Sequence, residues 1–420
     1  MTVYVLLSVA AMLLSVPLFL VFGIGSAAIA LDVLGLPGHT LMQVSLDAMT
    51  KQVLVAIPIF IFAGALMLHG GAARRLVDFG MAAVGHLPGG MALALILSIG
   101  VFSAISGSIL ASIVAIGSVL MPAMVRNGYP RPFVVVLTAA AALIDALIPP
   151  SNTAIIYSAL THVPVARTFA AGVLPGLVLM TLLLAYAMWY CRAMPRPPKA
   201  PARERWMALL AALPSLLMPV LILGGLYQGL MTPAESASVA SVYALLLGLF
   251  VYRELSWKGL VQALYSTAQT TTAIFAIIAM AVYFSIIITY TKTPQAIIDF
   301  FVAYSIGPLT FMLLAGLVYL ILGTFLEVVP IFYLTVPVFF PICQLLKIDP
   351  LHFYVYMTGL VGLGMLTPPV CVGVYTAASI IREPPNRVFV AVPGFILVGL
   401  VYALIILAAP WLATWLPGLM

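Results

Sequence analysis

The stretch "LIPPSNTAIIY", residues 147–157, places two adjacent prolines and three polar residues inside a long apolar run. Proline has no backbone N–H and its ring clashes with the preceding turn, so Pro149-Pro150 predicts a break in a helix over residues 133–160. A break frees backbone carbonyl groups, which are costly in hydrocarbon unless they are buried or line a cavity. A sodium ion is one partner for such groups, because it is a hard cation that takes carbonyl and hydroxyl oxygens.

A second polar interruption, "FSAISGSILAS" at residues 102–112, lies upstream of the proline break. Three serines, Ser103, Ser106 and Ser108, surround Gly107 in this stretch. If this stretch faces the proline break, the two together could supply a shell of oxygens with no net protein charge. We therefore expect a cation site between them.

The second half of the chain offers the same two features. "LGTFLEVVP" at 322–330 resembles a hairpin tip, and "GMLTPPVCVGVY" at 364–375 contains the second proline pair, Pro368-Pro369. The candidate residues of these stretches are Gly323, Thr324, Glu327, Gly364 and Thr367. We predict two cation sites related by a pseudo-twofold axis. The helix N-termini that follow each break point positive dipole ends at one cavity, which suits an anionic substrate.

The composition makes lipid the solvent of this chain. Of its 420 residues 64% are hydrophobic and 7% charged, whereas a soluble domain carries about 25% charge. The net charge of +6 does not indicate nucleic acid, because the cations lie in short loops where they set orientation. The three cysteines have no CxxC spacing and predict neither a metal site nor a disulfide framework. We expect an all-α, multi-pass membrane protein.

The chain divides into two halves of opposite orientation. A basic, proline-rich linker at 191–206 is predicted to be cytoplasmic, with a first repeat at 1–190 and a second at 207–420. The two proline pairs are 219 residues apart, and two Pro-Gly dipeptides are 218 apart, which indicates duplication. Inverted repeats with matched broken helices are typical of secondary transporters. The predicted elements are re-entrant hairpins at 91–125 and 308–346 and broken helices at 133–160 and 351–381.

Nine short motifs follow one another along nearly the whole chain. They are "PIFIFAGALM" (58–67), "GHLPGG" (85–90), "ISGS" (105–108), "MPAMVRNGY" (121–129), "IPPS" (148–151), "AGVLPG" (171–176), "TPAE" (232–235), "GTFLE" (323–327) and "TPPV" (367–370). Each motif alone is weak, but the ordered set is specific. It resembles the large membrane (DctM-like) subunit of tripartite ATP-independent periplasmic (TRAP) transporters.

The resemblance implies an elevator-type transporter that uses sodium to take up an organic acid across a bacterial inner membrane. It implies two partners: a small four-helix membrane subunit and a soluble periplasmic substrate-binding protein. The first sodium site would use Ser103 and Ser106 with carbonyls near Asp145 and Pro149, and the second Gly323, Gly364 and Thr367. We assign to the substrate the polar or break-lining residues Ser108, Ser151, Asn152, Thr324, Glu327 and Pro369.

The chain departs from the family pattern at Asp145 and Cys371, where the family usually has glycine. Carboxylates within a membrane are functional candidates by default. Asp145 and Glu327 are therefore both candidates. Three interpretations of Asp145 remain open: altered ion stoichiometry, coupling to a proton, or a protonated structural acid.

Other functions are less favoured by the sequence. It has no GxxxxGK[ST] motif, so the chain does not itself hydrolyse ATP, although the membrane component of an ATP-driven importer is an alternative. An intramembrane enzyme is disfavoured because no histidine is placed to act as a base, and we expect no enzymatic activity. C4-dicarboxylates are the default substrates, with sialic acid and other sugar or keto acids open.

Overall fold

The computed structural model describes residues 10–11, 16, 18–194 and 198–420, and within these residues the chain is helical with no strand. Residues 1–9, 12–15, 17 and 195–197, which belong to the predicted first repeat and linker, lie outside the described residues.

The helices before the linker are α1 (Leu18–Ala28), α2 (Gly38–Met49), α3 (Ala56–His69), α4 (Ala72–Val84), α5 (Gly90–Ser106), α6 (Ile109–Arg126), α7 (Arg131–Ala142), α8 (Asn152–Thr161) and α9 (Val165–Tyr190). A π-helical turn, Ile29–Val33, extends α1, and 3₁₀ turns at Gln52–Val55 and Leu143–Ala146 precede α3 and follow α7.

The helices after the linker are α10 (Ala202–Tyr227), α11 (Pro233–Leu246), α12 (Trp257–Tyr290), α13 (Thr293–Ala303), α14 (Pro308–Gly323), α15 (Val328–Leu345), α16 (Pro350–Gly364), α17 (Val372–Ile381), α18 (Pro385–Val388), α19 (Val392–Ala408) and α20 (Trp411–Thr414). A π-helical turn, Leu247–Val251, extends α11, and 3₁₀ turns lie at Phe389–Ala391 and Pro417–Leu419.

The described residues include eight helical spans that are long and apolar enough to cross a membrane. They contain α3, α6, α9, α10, α11, α12, α15 and α19. The helices α5 and α14 are also apolar but have only 17 and 16 residues. This pattern is that of a multi-pass membrane protein.

Two helix pairs occupy the positions of the predicted hairpins. Helix α5 ends at Ser106 and α6 begins at Ile109, with Gly107 in the left-handed conformation between them. Helix α14 ends at Gly323 and α15 begins at Val328. Their re-entry from one face of a membrane stays a prediction.

The chain leaves the helical conformation at both proline pairs. Between α7 and α8 it passes through a 3₁₀ turn and then Pro149-Pro150, and between α16 and α17 it passes through Pro368-Pro369. Both proline–proline bonds are cis. Each pair removes N–H donors, so neither segment can continue as a regular helix.

Three helices of 11 to 13 residues lie outside the segments predicted from the sequence. They are α2, α4 and α13, of 12, 13 and 11 residues. Each is shorter than the roughly 20 apolar residues of a spanning segment, so none gives the long apolar run on which the assignment rested.

Aromatic side chains from both halves pack together beside the breaks. Tyr157 of α8 lies 5.0 Å from Tyr354 of α16 and 6.2 Å from Phe332 of α15, measured between ring centroids. The hydroxyl of Tyr157 also donates to the Pro350 carbonyl at 2.7 Å. The broken helix of the first half is therefore anchored on the second half.

Candidate functional site

The tip of the α5–α6 pair touches the first proline break. Gly107 has φ +59°, a conformation that residues with a Cβ rarely adopt. A Cβ on Gly107 would lie 2.6 Å from the Pro150 carbonyl oxygen. The Gly107 carbonyl accepts a hydrogen bond of 3.4 Å from the Asn152 amide, the first residue of α8. Glycine is therefore required both by the turn and by the close approach.

A buried cluster of hydroxyl groups surrounds one carboxyl group at this contact. The Ser106 hydroxyl donates to Asp145 Oδ1 at 3.1 Å and lies 3.1 Å from the Ser112 hydroxyl. Ser103 also lies beside the carboxyl group, although its hydroxyl donates to the Ile99 carbonyl at 2.8 Å. The exposed fraction of the three serines and Asp145 is 1% or less. The structure thus brings together Ser103, Ser106 and Asp145, as predicted, with Ser112 in addition.

The carbonyl of Ala146, freed by the break, accepts hydrogen bonds from three hydroxyls. Ser151, Thr153 and Tyr354 donate to it at 2.9, 2.8 and 3.1 Å. Tyr354 belongs to α16, so a residue of the second half completes the first break. Ser151, which we assigned to the substrate, is fully buried with its hydroxyl on this carbonyl.

Two helix N-termini meet at the same place. Ser108 is the N-cap of α6 and Ser151 the N-cap of α8, and neither side chain makes a capping hydrogen bond. Asn152, 8% exposed, has a buried side-chain oxygen without a hydrogen-bond partner among the described residues. Free N–H groups at helix starts attract anions.

Lys51, outside the spanning segments, lies at the opposite end of α8 and donates to the Ala159 carbonyl at 2.8 Å. Burial lowers the pKa of Lys51 from its ordinary value. A cation at this position interacts favourably with the C-terminal end of α8.

The second break has an equivalent backbone connection. The Thr324 carbonyl, at the tip of the α14–α15 pair, accepts from the amides of Val370 and Cys371 at 3.2 and 3.4 Å. A Cβ on Gly364 would lie 2.6 Å from the Cα atom of Gly323, so these two glycines allow two backbones to touch.

The other predicted residues of the second break are more open. Pro369 is exposed, whereas Thr367 and Glu327 are half-buried. The Thr367 hydroxyl donates to the Leu363 carbonyl of α16 at 3.1 Å. Glu327 is the N-cap of α15 without a capping hydrogen bond, the position that Ser108 holds in α6.

The two sets of oxygens differ in how well they fit a sodium ion. At the first break the buried Asp145 Oδ2 has no hydrogen-bond partner among the described residues, so an oxygen is available. At the second break, Gly323, Gly364 and Thr367 offer only neutral oxygens, and the Gly364 carbonyl already accepts from the Thr367 amide at 2.8 Å. The first set therefore fits a hard cation better.

Three residues of the site were missed by sequence reasoning. Ser112 follows Ser108 by one helical turn, a spacing that could have indicated it. Gly64 lies within the first family-like motif, and a Cβ there would lie 2.9 Å from the Ser106 Cα atom. Tyr354 gives no local signal, because its partner Ala146 is 208 residues away.

A protein-family model described as "Tripartite ATP-independent periplasmic transporter, DctM component" matches residues 4–412 of the chain. The chain belongs to this family. The resemblance drawn from the nine motifs is therefore confirmed, and a DctM component is a transporter permease rather than an enzyme.

Relatives of this DctM-family chain carry different substrate names. It is 36% identical to the C4-dicarboxylate TRAP transporter large permease protein DctM of Pseudomonas aeruginosa, covering 87% of this chain and 86% of that protein. It is 34% identical to the sialic acid TRAP transporter large permease protein SiaM of Vibrio cholerae, covering 86% of each. The family thus indicates a secondary transporter but leaves the substrate open.

A solved structure shares the fold. The Alcanivorax borkumensis YdaH transporter aligns with 99% of this DctM-family chain and 98% of its own chain, with a TM-score of 0.58 and 18% identity.

Proposed function

We propose that this chain is the large membrane component of a sodium-coupled secondary transporter that takes up a small organic acid across the bacterial inner membrane. A soluble periplasmic binding protein delivers the substrate, and a small four-helix membrane subunit completes the complex. The observation that carries this proposal is the repeated hydrogen bond between a hairpin tip and a helix break. It joins Asn152 to Gly107 in one half and Val370 to Thr324 in the other.

Each break would hold one sodium ion. At the first, Ser103 and Ser106 provide hydroxyl oxygens, and the chain near Asp145 and Pro149 provides carbonyl oxygens. At the second, Gly323, Gly364 and Thr367 are the ligands. Bound sodium supplies positive charge beside an anionic substrate. The protein holds the hairpin tips in place and excludes water from the site. Because the ion supplies the positive charge beside the substrate, substrate affinity depends on the ion.

We place the substrate between the hairpin tips and the helix starts, with Ser108, Ser151 and Asn152 on one side and Thr324, Glu327 and Pro369 on the other. The N–H groups of four helix N-termini, those of α6, α8, α15 and α17, favour carboxylates. We take a C4-dicarboxylate as the first substrate to test, because the Pseudomonas relative carries that name. Sialic acid is the alternative from the Vibrio relative.

The transport movement is proposed to be of the elevator type. The two hairpins and two broken helices would move as one body relative to α1–α3 and α10–α12. Close packing at Gly107 and at the Gly323–Gly364 contact keeps each tip against its break. Both hairpins are proposed to be re-entrant.

The complex, reconstituted in liposomes with its binding protein, tests the proposal. We expect uptake of radiolabelled C4-dicarboxylate or sialic acid to require an inward sodium gradient and to be lost when choline replaces sodium. ATP enclosed on the cytoplasmic side should have no effect. Uptake that persists without sodium refutes the coupling, and uptake that requires ATP supports the ATP-driven alternative.

A further inference from the structure

The carboxyl group of Asp145 is unusually placed. It lies in the 3₁₀ turn Leu143–Ala146, directly before the break, and its residue is 0% exposed. One oxygen accepts from Ser106 at 3.1 Å, and the other is buried without a hydrogen-bond partner among the described residues.

No basic side chain among the described residues forms an ion pair with the Asp145 carboxyl group. Ion pairs in the described part of the chain join Arg75 to Glu254 and Arg131 to Glu383. Neither involves Asp145. A buried, ionised carboxylate without a partner costs several kcal/mol, so the group is either protonated or compensated by a positive charge.

The neighbours of Asp145 are suited to a metal cation. The Ser106 and Ser112 hydroxyls lie 3.1 Å apart beside the carboxyl group, and the Ser103 hydroxyl is close to it. The Gly107 and Pro150 backbones meet at the same contact. Hydroxyl, carbonyl and carboxylate oxygens are the ligands of hard cations.

We propose that the side-chain carboxylate of Asp145 is itself a ligand of the cation at the first break. The first site then combines a charged ligand with neutral oxygens, whereas Gly323, Gly364 and Thr367 offer only neutral oxygens at the second. This inference rests on the proposed sodium coupling. The proposal makes Asp145 the residue that gives the first site a higher cation affinity than the second.

Sodium-dependent stabilisation of the purified, full-length protein tests the role of Asp145 without measuring transport. Its melting temperature is recorded as NaCl replaces choline chloride at constant total salt. The variants are Asp145→Asn and Asp145→Ser, which remove the charge and keep a polar group. Asp47→Asn is the matched control, because Asp47 is an exposed acid on α2 and this change also removes one negative charge.

We expect the sodium concentration for half-maximal stabilisation to rise at least about tenfold in both Asp145 variants, because a charged ligand binds a cation more strongly than a neutral one. The control should match the wild type. An unchanged midpoint in both Asp145 variants overturns the inference while leaving the sodium sites in place. A wild type that responds equally to sodium and choline overturns the sodium sites and the inference together.

The wild type alone decides the question if neither variant folds. With ¹³C-labelled aspartate, sodium should shift an aspartate carboxylate stretching band in the infrared difference spectrum. Absence of any such shift, in a protein whose melting temperature still responds to sodium, overturns the inference.

Discussion

The two proline breaks share a backbone connection but differ in their surroundings. At the first break Pro149 and Pro150 are buried, whereas at the second Pro368, Pro369 and Val370 are exposed. Each break nevertheless donates a backbone hydrogen bond to a hairpin tip. The backbone connection is the same in both halves while the side chains differ, so a closed, hydroxyl-rich break contrasts with an open one.

The side chains express the same difference. The first break has Ser106, Ser112 and Asp145 fully enclosed, and the Ala146 carbonyl has three hydroxyl donors. The second relies on the direct contact of Gly323 with Gly364. We interpret the first as the more rigid of the two.

The largest expected effect is that of Gly107→Ala, which attacks the first tip. Positive φ costs a non-glycine residue about 1–2 kcal/mol, and the new Cβ would lie 2.6 Å from the Pro150 oxygen. We expect sodium-dependent uptake in liposomes to fall at least roughly tenfold, since each 1.4 kcal/mol is about a factor of ten.

Gly128→Ala is the control for this change. Gly128 also has positive φ, +83°, but nothing lies within 4 Å of its Cβ position. Equal uptake by the two variants would show that the close approach at the first tip is unimportant.

Ser106→Ala tests whether the enclosed cluster binds the ion. A hydrogen bond to a charged group contributes about 1.5–3 kcal/mol, so the sodium concentration for half-maximal uptake should rise roughly tenfold with little loss of folded protein. Ser118→Ala is the control in the neighbouring helix α6, because the Ser118 hydroxyl donates to the Ala115 carbonyl of its own helix. If Ser106→Ala instead lowers the yield of folded protein and leaves sodium affinity intact, Ser106 is structural.

Cysteine labelling compares the openness of the two breaks. Cys371 is itself buried but follows the exposed Val370, whereas Ser151 lies within a buried stretch. With Cys191 and Cys343 changed to alanine, we expect a maleimide to label Cys371 several-fold faster than a cysteine placed by Ser151→Cys in a Cys371→Ala background. Equal labelling rates of the two cysteines in the folded protein would contradict the proposed difference in rigidity, provided that the two cysteines also react at equal rates in SDS.

Tyr354→Phe has the smallest expected effect. It removes one of three donors to the Ala146 carbonyl, and a typical hydrogen bond contributes about 1 kcal/mol to the free energy of unfolding. We expect a lower melting temperature, whereas Tyr375→Phe, which changes an exposed tyrosine, should leave it unchanged. A drop in neither variant would mean that Ser151 and Thr153 satisfy the carbonyl alone.

The breaks could be predicted from the sequence because their causes are covalent and local. Pro149-Pro150 cannot continue a helix, and Gly107 between serines favours a turn. The family followed from the order of its motifs. The sequence also predicts that Ser106 and Asp145 share one site; the two side chains are joined by a hydrogen bond of 3.1 Å, and their binding of an ion stays a prediction.

The asymmetry of the breaks could not be predicted, because burial depends on the whole fold. The two "PP" stretches look alike in sequence, yet one is enclosed and the other exposed. In the sequence, Tyr354 is one of many aromatic residues in apolar helices. Only the tertiary structure shows which group its hydroxyl contacts. Short helices such as α13 are not predicted from the sequence, because their apolar runs are too short to indicate a spanning segment.

Contacts between the halves limit how this molecule can change shape. Tyr354 reaches the Ala146 carbonyl, Tyr157 reaches the Pro350 carbonyl at 2.7 Å, and Arg131 pairs with Glu383 at 3.1 Å. Separating the two halves would break all three contacts at once. Moving both breaks as a single block leaves these contacts intact, which favours the proposed elevator movement over a separation of the halves.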